Sequence, residues 1–203
     1  MEDLVVLSTK HGLLLKHCFE NTYSYVGHQF NGQRAVRCVF IVPRINRLIE
    51  ASNYEQRIHG VPLKVAIELS TMFGCPVGCT FCASGNLDAI NFLRVDEIIA
   101  QGLVLATYYE QTVGPEVQKH FCFQGIGEPS LIPERIVTAA HKLGDAYPAA
   151  KFKASTMGAS PTGIPQLASD IPWEALQISF PHYDADKLRG LFRHIKTTTR
   201  SGY

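Results

Sequence analysis

The sequence lacks both a long apolar run and an excess of charge of either sign. No stretch approaches the roughly 20 apolar residues that a membrane-spanning helix needs, so no membrane partner is predicted. The formal net charge is +1, which gives the whole chain no tendency to bind nucleic acid or a membrane surface. The chain opens with Met1, Glu2 and Asp3 instead of the basic start of a secretory signal, so a cytoplasmic location is expected.

Cysteine is sparse outside one short segment. The sequence has six cysteines, and Cys75, Cys79 and Cys82 fall within eight residues. A chain of 203 residues can bury a core without disulfide bonds, so clustered thiols in a reducing cytoplasm indicate metal or redox chemistry. The three scattered cysteines are interpreted as small buried apolar residues instead of ligands. They are Cys18, Cys38 and Cys122.

Apolar patterning predicts alternating strands and helices from residue 63 onward. The predicted strands cover residues 63–69, 119–124, 151–156 and 175–180, and the predicted helices cover 95–111, 134–147, 164–169 and 184–195, the last with Asp184 as N-cap. This alternation favours a parallel sheet with helices outside it. About four strand–helix units are half of an eight-unit barrel, so the expected fold is α/β with an open, partial (βα) barrel.

The residues before this region are less regular. Residues 36–42 have the apolar run of a strand, which stops at Pro43. Residues 1–62 are therefore predicted as a small lead-in, β-rich or mixed, and residues 63–203 as the core. In parallel α/β folds ligands bind at the carboxyl ends of the strands, so a site is expected there.

A C-x3-C-x2-C loop from Cys75 to Cys82 directly follows the first predicted core strand. Thiolates are the usual ligands of a [4Fe–4S] cluster, and three of them leave the fourth iron open to a further ligand. Gly74 and Gly78 allow the loop to wrap closely. Two other sites use the same thiolates: a zinc site completed by a histidine or Cys122, and a closed electron-transfer cluster completed by Cys122. Zinc sites more often show two separated cysteine pairs, and the sequence has no second pair.

This loop, with an aromatic residue before its last cysteine, resembles the signature of the radical-SAM superfamily. The resemblance implies that Cys75, Cys79 and Cys82 hold a [4Fe–4S] cluster whose open iron binds S-adenosylmethionine. Reduction then cleaves the sulfonium and releases a 5′-deoxyadenosyl radical. The resemblance further implies that Phe81 lies beside the adenine, and it predicts an electron donor such as a flavodoxin or ferredoxin.

A glycine-rich turn, GIGEP at residues 125–129, follows the next predicted strand. Glycines let a backbone approach a ligand closely, and Glu128 is an anion where a ligand ammonium group could sit. Alone, the same residues fit a strand-to-helix turn with a solvated glutamate. In the superfamily that the cysteine loop resembles, this strand end binds the methionine amino group, which implies that role for Gly125, Gly127 and Glu128.

Five segments resemble the radical-SAM methyltransferases that modify an adenine of large-subunit ribosomal RNA. They are residues 73–82, 91–98, 125–129, 154–158 and 175–180. The resemblance covers about residues 63–195 and implies that Ser155 and Ser179 contact the cofactor. Each serine equally fits a cap of the following helix.

Three departures separate the chain from those methyltransferases. Their adduct-resolving cysteine is replaced by Glu68 and their histidine by Pro181, and the chain ends at Tyr203, before the position of their methyl-accepting cysteine. Glu68 is therefore interpreted either as an acid–base group or as a structural partner at a strand end. The incomplete barrel predicts either a partner chain that completes it or a truncated product.

Three functions remain open at this point. The first is a radical enzyme acting on an RNA base or a small metabolite, although the chain has no obvious basic stripe such as RNA binding favours. The second is a cluster-binding, electron-transfer or partner-dependent subunit. The third is a structural zinc protein.

Overall fold

The computed structural model describes residues 2–23, 33–58, 61–169 and 171–179, and also residues 181, 184, 187 and 190–192. Within them the helices are α1 (Glu2–Lys10), α2 (Val95–Thr112), α3 (Pro133–Ala146) and α4 (Gly163–Ser169). The strands are β1 (Leu14–Tyr23), β2 (Gln33–Val42), β3 (Arg47–Ile58), β4 (Val61–Glu68), β5 (Met72–Phe73), β6 (Asn91–Phe92), β7 (Gln118–Phe123), β8 (Lys151–Thr156) and β9 (Ala175–Ile178). None of the described helices has the length and apolar character that crossing a bilayer requires.

One seven-stranded sheet, in the order β1-β2-β3-β4-β7-β8-β9, organises the chain. The pairs β1–β2, β2–β3 and β3–β4 are antiparallel, and we call β1–β3 the antiparallel half. Strands β4, β7, β8 and β9 pair in parallel and form the parallel half. Strands β5 and β6 form a separate two-stranded sheet beside the cysteine loop. All carboxyl ends of the parallel half therefore lie at one edge.

The two faces of the sheet differ because side chains alternate along each strand. Val65 and Ile67 of β4 and Phe121 of β7 are fully buried in the core that the helices cover. Ala66 and Glu68 point to the opposite face, which we call the inner face. The register places Glu68 beside Cys122 of β7, so polar and reactive side chains of neighbouring strands share the inner face.

The start of helix α2 connects the two halves of the sheet. The Glu97 carboxylate accepts a hydrogen bond from the Arg94 backbone N–H at 2.7 Å, which satisfies one of the free donors of the first helical turn. The same carboxylate forms an ion pair with Arg44, which follows β2, at 2.6 Å. Arg44 also donates to the Phe92 carbonyl oxygen of β6 at 2.8 Å. These bonds fix the end of the cysteine loop against the sheet.

The predicted alternation of strands and helices is confirmed. Strand β2 contains the predicted strand 36–42, and β4, β7, β8 and β9 lie within two residues of the predicted core strands. Helices α2, α3 and α4 agree with the predictions to within one residue at each end. The described part of residues 1–62 is mixed, since it holds one helix, three antiparallel strands and the first residues of β4. Strand β4 continues the sheet across the predicted boundary at residue 62, so the division into domains stays a prediction.

Two predictions need correction. Cys18 and Cys38 are not independent buried residues: they lie opposite each other on β1 and β2 and are joined by a disulfide bond. The predicted helix over 184–195 falls largely outside the described residues, but it ends early, because Phe192 forms a β-bridge with Cys79. At its start, Asp184 accepts a hydrogen bond from the Lys187 backbone N–H at 3.1 Å, the contact expected of an N-cap.

Candidate functional site

The glycine-rich turn lies directly against the chain segment that leads into the cysteine loop. The backbone N–H groups of Thr71 and Met72 donate to the Ile126 carbonyl oxygen at 2.8 and 3.0 Å. In return, the Gly125 N–H donates to the Leu69 carbonyl oxygen at 3.0 Å. The ends of β4 and β7 are therefore joined by backbone hydrogen bonds over more than 50 positions of sequence.

Two glycines of this turn are required by close approach. A β-carbon at Gly125 would lie 2.8 Å from the Leu69 carbonyl carbon, closer than real side chains come. Gly127 has φ +122°, a conformation that side chains rarely adopt, and a β-carbon there would collide with Thr71 and Met72. Close backbone approach at these glycines was predicted for a ligand. In the structure the groups that approach them belong to the protein itself.

The cysteine loop is folded by its own backbone hydrogen bonds. The Cys75 N–H donates to the Ser84 carbonyl oxygen at 3.1 Å, the Gly78 N–H to Cys75 at 3.3 Å, and the Cys82 N–H to Cys79 at 3.1 Å. Gly78 has φ +64°, which its turn requires. The three cysteines of the loop are free thiols, with no disulfide bond among them.

The loop thiols influence one another electrostatically. The pKa of the Cys75 thiol is raised to about 11, mainly by burial, with smaller contributions from the nearby Glu128, Cys79 and Cys82. Burial, and to a smaller extent the neighbouring Cys82, also raises the pKa of the Cys79 thiol. Three free thiols in one loop are the donor set that a [4Fe–4S] cluster takes. However, no three His, Cys, Asp or Glu side chains in the described part of the chain are arranged to hold a metal ion.

A segment from the far end of the chain covers this loop. The Thr80 N–H donates to the Leu191 carbonyl oxygen at 2.9 Å, next to the bridge between Cys79 and Phe192. Phe81, between these contacts and Cys82, exposes 61% of its surface. An exposed aromatic ring beside a thiol loop is available to stack on a planar ligand.

Glu128 is buried, not solvated as a simple turn would predict. Its side chain is 2% exposed, and it accepts hydrogen bonds from the Ser130 hydroxyl at 2.7 Å, the Met157 N–H at 2.8 Å and the Thr156 hydroxyl. All of these donors are neutral. No Lys, Arg or His forms an ion pair with Glu128 among the described residues. The carboxylate is therefore buried with hydrogen bonds but without a counter-charge.

Sequence reasoning missed Ser130 and Thr156, which hold Glu128. Ser130 is fully buried, and Thr156 lies at the last position of β8, 28 residues away. A signal for Ser130 existed, since a serine two residues after an acidic residue at a strand end is placed to donate back to it. Nothing in the pattern of β8 indicated Thr156.

A row of polar side chains crosses the inner face near the same edge. Glu68 accepts hydrogen bonds from the Ser52 hydroxyl at 2.9 Å and the Gln124 amide at 2.7 Å. Ser155 donates to Gln124 and, at 3.0 Å, to Gln177 of β9. Glu68 and Ser155 are thus brought together through Gln124, which the sequence reasoning did not single out.

Ser179 and Cys122 take no part in the hydrogen bonds of this row among the described residues. Ser179 is exposed, and its backbone N–H donates to the Thr156 carbonyl oxygen at 2.8 Å. Cys122 is 2% exposed on the inner face, and the charged groups that shift its pKa are Lys153, Glu68, Glu174 and Lys64, with no loop cysteine among them. This placement disfavours Cys122 as a fourth ligand of a closed cluster.

Comparisons with known proteins give a consistent set of relatives. No protein-family model matches the chain. The chain is 31% identical to the dual-specificity RNA methyltransferase RlmN of Oleidesulfovibrio alaskensis over 118 residues, which are 56% of this chain and 33% of that protein. It is 39% identical to a probable RlmN of Thermus thermophilus over 106 residues, 50% of this chain and 29% of that protein. The chain thus spans about a third of the length of the curated relatives it matches.

The fold has a counterpart among solved structures. The crystal structure of a radical SAM methyltransferase from Sphaerobacter thermophilus matches 89% of this chain and 49% of its own, with a TM-score of 0.68 and 19% identity. At that identity the match establishes the fold alone. The chain is therefore similar to RlmN RNA methyltransferases over about half of its residues, and its fold is similar to that of a solved radical SAM methyltransferase.

Proposed function

We propose that this chain is a radical-SAM enzyme in which Cys75, Cys79 and Cys82 hold a [4Fe–4S] cluster with one open iron. The proposal is carried by Glu128, a buried carboxylate without a cationic partner in the described chain, close enough to Cys75 and Cys79 to raise their pKa values. Burying a charge without a counter-charge is costly, so this arrangement favours a cationic ligand beside the thiol loop. The ammonium group of S-adenosylmethionine supplies that charge.

Once bound, the cluster and S-adenosylmethionine supply a 5′-deoxyadenosyl radical that abstracts hydrogen from the substrate. The protein's part is to bind and orient. The three thiols must lose their protons and turn toward one another to hold the cluster. Among the described residues Met157 is the one donor to Oε2 of Glu128, so this oxygen has a further acceptor position with which it orients the methionine end. Phe81 stacks on the adenine, and the glycine turn places backbone close to the ligand.

On the inner face, Glu68 takes the role of acid–base group toward the substrate. Its carboxylate oxygens are fixed by Ser52 and Gln124, so its position is defined before a ligand binds. Ser155 continues the same row, and Ser179 lies at the neighbouring strand end. An RNA base is the substrate suggested by the relatives, and a small metabolite is the alternative. We assign electron delivery to a flavodoxin or ferredoxin.

The decisive experiment is anaerobic reconstitution of the full chain with iron and sulfide, followed by dithionite and S-adenosylmethionine. We expect about four irons per chain, a spectrum that changes when S-adenosylmethionine is added, and release of 5′-deoxyadenosine. The Cys79→Ala variant should lose the cluster, whereas Cys122→Ala is the matched control and should retain it. Four cysteinyl ligands, or zinc without iron uptake, would refute the proposal.

A cluster that forms but ignores S-adenosylmethionine would point instead to a partner-dependent or electron-transfer subunit. The Glu128→Gln variant separates this outcome from a merely weak enzyme. The amide keeps the shape of the carboxylate but removes the charge that the ligand ammonium needs. In an enzyme it should weaken S-adenosylmethionine binding by about tenfold or more, since charged hydrogen bonds contribute about 1.5–3 kcal/mol. In a partner-dependent or electron-transfer subunit, S-adenosylmethionine should have no effect on the cluster spectrum of either the Glu128→Gln variant or the unmodified chain.

A further inference from the structure

A second cavity lies on the inner face, deeper in the parallel half than the thiol loop. Its volume is about 180 Å³, enough for about six water molecules. It is lined by residues of β3, β4, β7, β8 and β9 and of the turn after β7: Tyr54, Gln56, Lys64, Ala66, His120, Cys122, Gln124, Lys153 and Gln177. The comparisons assign no ligand to this cavity.

The chemistry of the lining is one-sided. None of these lining side chains is a carboxylate, whereas two are lysines and three are glutamines with amide donors. Cys122 stays a neutral thiol at physiological pH, because burial raises its pKa to about 12. The cavity therefore presents hydrogen-bond donors and positive charge.

Two carboxylates, Glu174 and Glu68, lie near the lysines of the cavity, and only Glu174 forms an ion pair with one of them among the described residues. Glu174 lies 3.2 Å from the Lys153 ammonium and 2.7 Å from Nδ1 of the buried His120, so two groups share it. Glu68 is occupied by Ser52 and Gln124 and lines the separate groove over β1–β4. No ion pair of Lys64 occurs within the described residues.

Both lysines act on the same point of the cavity. Lys64 and Lys153 each lower the pKa values of Cys122 and His120, which lie on β7 between them. Their strands, β4 and β8, flank β7 in the sheet. Two ammonium groups that converge from opposite sides, with neutral donors around them, match a compact oxyanion.

We propose that Lys64 and Lys153 form a binding site for a phosphate group of the substrate on the inner face. The inference deepens the proposed function and rests on it, because the inner face is where that function places the substrate. It adds a substrate class: a phosphorylated compound whose phosphate is held in the cavity while its reacting carbon lies toward the thiol loop. The phosphate is either a small-molecule monoester or part of an RNA.

The test is calorimetric titration of inorganic phosphate into the full chain before cluster reconstitution. Lys64→Gln and Lys153→Gln should each weaken binding by about tenfold, the loss expected for one charged hydrogen bond. Lys142→Gln is the matched control, since Lys142 is 55% exposed on α3 and pairs only weakly with Asp96 at 3.5 Å. Absence of saturable binding to the unmodified chain, or equal weakening by the control, would overturn the site.

A protection experiment on the unmodified chain gives a result that does not depend on whether the variants fold. Phosphate should slow acetylation of Lys64 and Lys153 in the unmodified chain and leave Lys142 unaffected; equal rates at all three lysines would contradict the proposal. Adenosine monophosphate and a short RNA with a 5′-hydroxyl end then distinguish the sources, as only the true class competes with phosphate. Competition by neither ligand would overturn the assignment to substrate.

The outcome is independent of the cluster. If phosphate binds but no 5′-deoxyadenosine is released, the proposed function fails while the anion site stands. If 5′-deoxyadenosine is released but phosphate does not bind, the enzyme stands and the anion site fails.

Discussion

Glu55 and Glu128 are both almost completely buried carboxylates, one in each half of the sheet, and their charges are compensated differently. Glu55, on β3, is 0% exposed and lies 3.0 Å from the Arg57 guanidinium, and it also accepts a hydrogen bond from the Tyr109 hydroxyl at 2.9 Å. Glu128, at the edge of the parallel half, has only neutral donors around it among the described residues. Among the described residues, one buried charge is therefore paired with a cation and the other is held by neutral donors alone.

This difference separates structure from function without reference to any relative. A carboxylate with its own cation contributes to the fold, and removing it leaves that cation unpaired. A carboxylate with neutral donors is held in place but keeps its attraction for a cation. Glu55 is thus a structural group of the antiparallel half, whereas the proposed function makes Glu128 a binding group of the parallel half.

The largest expected effect tests this division directly. Glu55→Gln should lower the free energy of unfolding by about 4 kcal/mol, because it removes the charge of a fully buried carboxylate that pairs with Arg57 and accepts a hydrogen bond from Tyr109. Glu128→Gln should cost only about 2 kcal/mol, since it removes no cation's partner but turns one amide donor toward other donors. Urea unfolding of the two variants measures both values.

The ligand should reverse the order. S-adenosylmethionine binding to the reconstituted chain should survive Glu55→Gln, measured at a temperature where that variant is folded, and be weakened by Glu128→Gln. If both variants bound it equally well, the comparison would fail, and Glu128 would be a structural group like Glu55.

The second prediction sharpens the comparison through two glycines with positive φ. Gly127→Ala should destabilise the chain by about 3 kcal/mol, because backbone strain adds to collision with Thr71 and Met72. Gly12, after α1, also has positive φ but has open space around it, so Gly12→Ala should cost only about 1 kcal/mol. Thermal unfolding of both variants gives the ratio, and equal losses would show that the site edge is no more tightly packed than the lead-in.

The parallel half was predictable because its strands are apolar runs bounded by turn residues. Strands buried beneath helices need apolar side chains, and β4 and β7 have them at Val65, Ile67 and Phe121. Strand β3 escaped prediction because its helix-covered face includes Asn53 and Glu55, both buried and polar. Their partners lie about 50 residues away on α2, and contacts at such separation leave no local pattern.

The candidate site was predictable to the same extent. The cysteine loop and the glycine turn are contiguous motifs, so the sequence alone indicates their chemistry. The hydrogen bonds that hold Glu128 depend on which strands become neighbours, and so does the row of polar side chains from Ser52 to Gln177. Only the fold determines which strands these are. The Cys18–Cys38 bond was missed for the same reason, since it requires the register of β1 on β2.

The third prediction concerns that disulfide, which contrasts with the free thiols of the loop. It closes a sequence separation of 20, so reduction should lower the free energy of unfolding by about 2 to 3 kcal/mol. The doubly substituted chain Cys18→Ala with Cys38→Ala should be insensitive to reductant. A thiol count in denaturant, without reductant, should give four free thiols of six; a count of six would mean the bond does not form.

The smallest effect is expected from the exposed ion pair of Arg37 and Glu50 on the inner face. The two groups are 3.6 Å apart and 58% and 47% exposed, so water already solvates both charges. Glu50→Gln should therefore change the free energy of unfolding by less than about 0.5 kcal/mol, as measured by urea unfolding. Glu97→Gln, in the 2.6 Å pair with Arg44 where the glutamate is 4% exposed, is the buried counterpart and should cost several times more. Suppose that Glu50→Gln lowered the free energy of unfolding as much as Glu97→Gln does. Exposure would then not separate the charges that maintain the fold from those left available to a ligand, and the distinction between Glu55 and Glu128 would lose its physical basis.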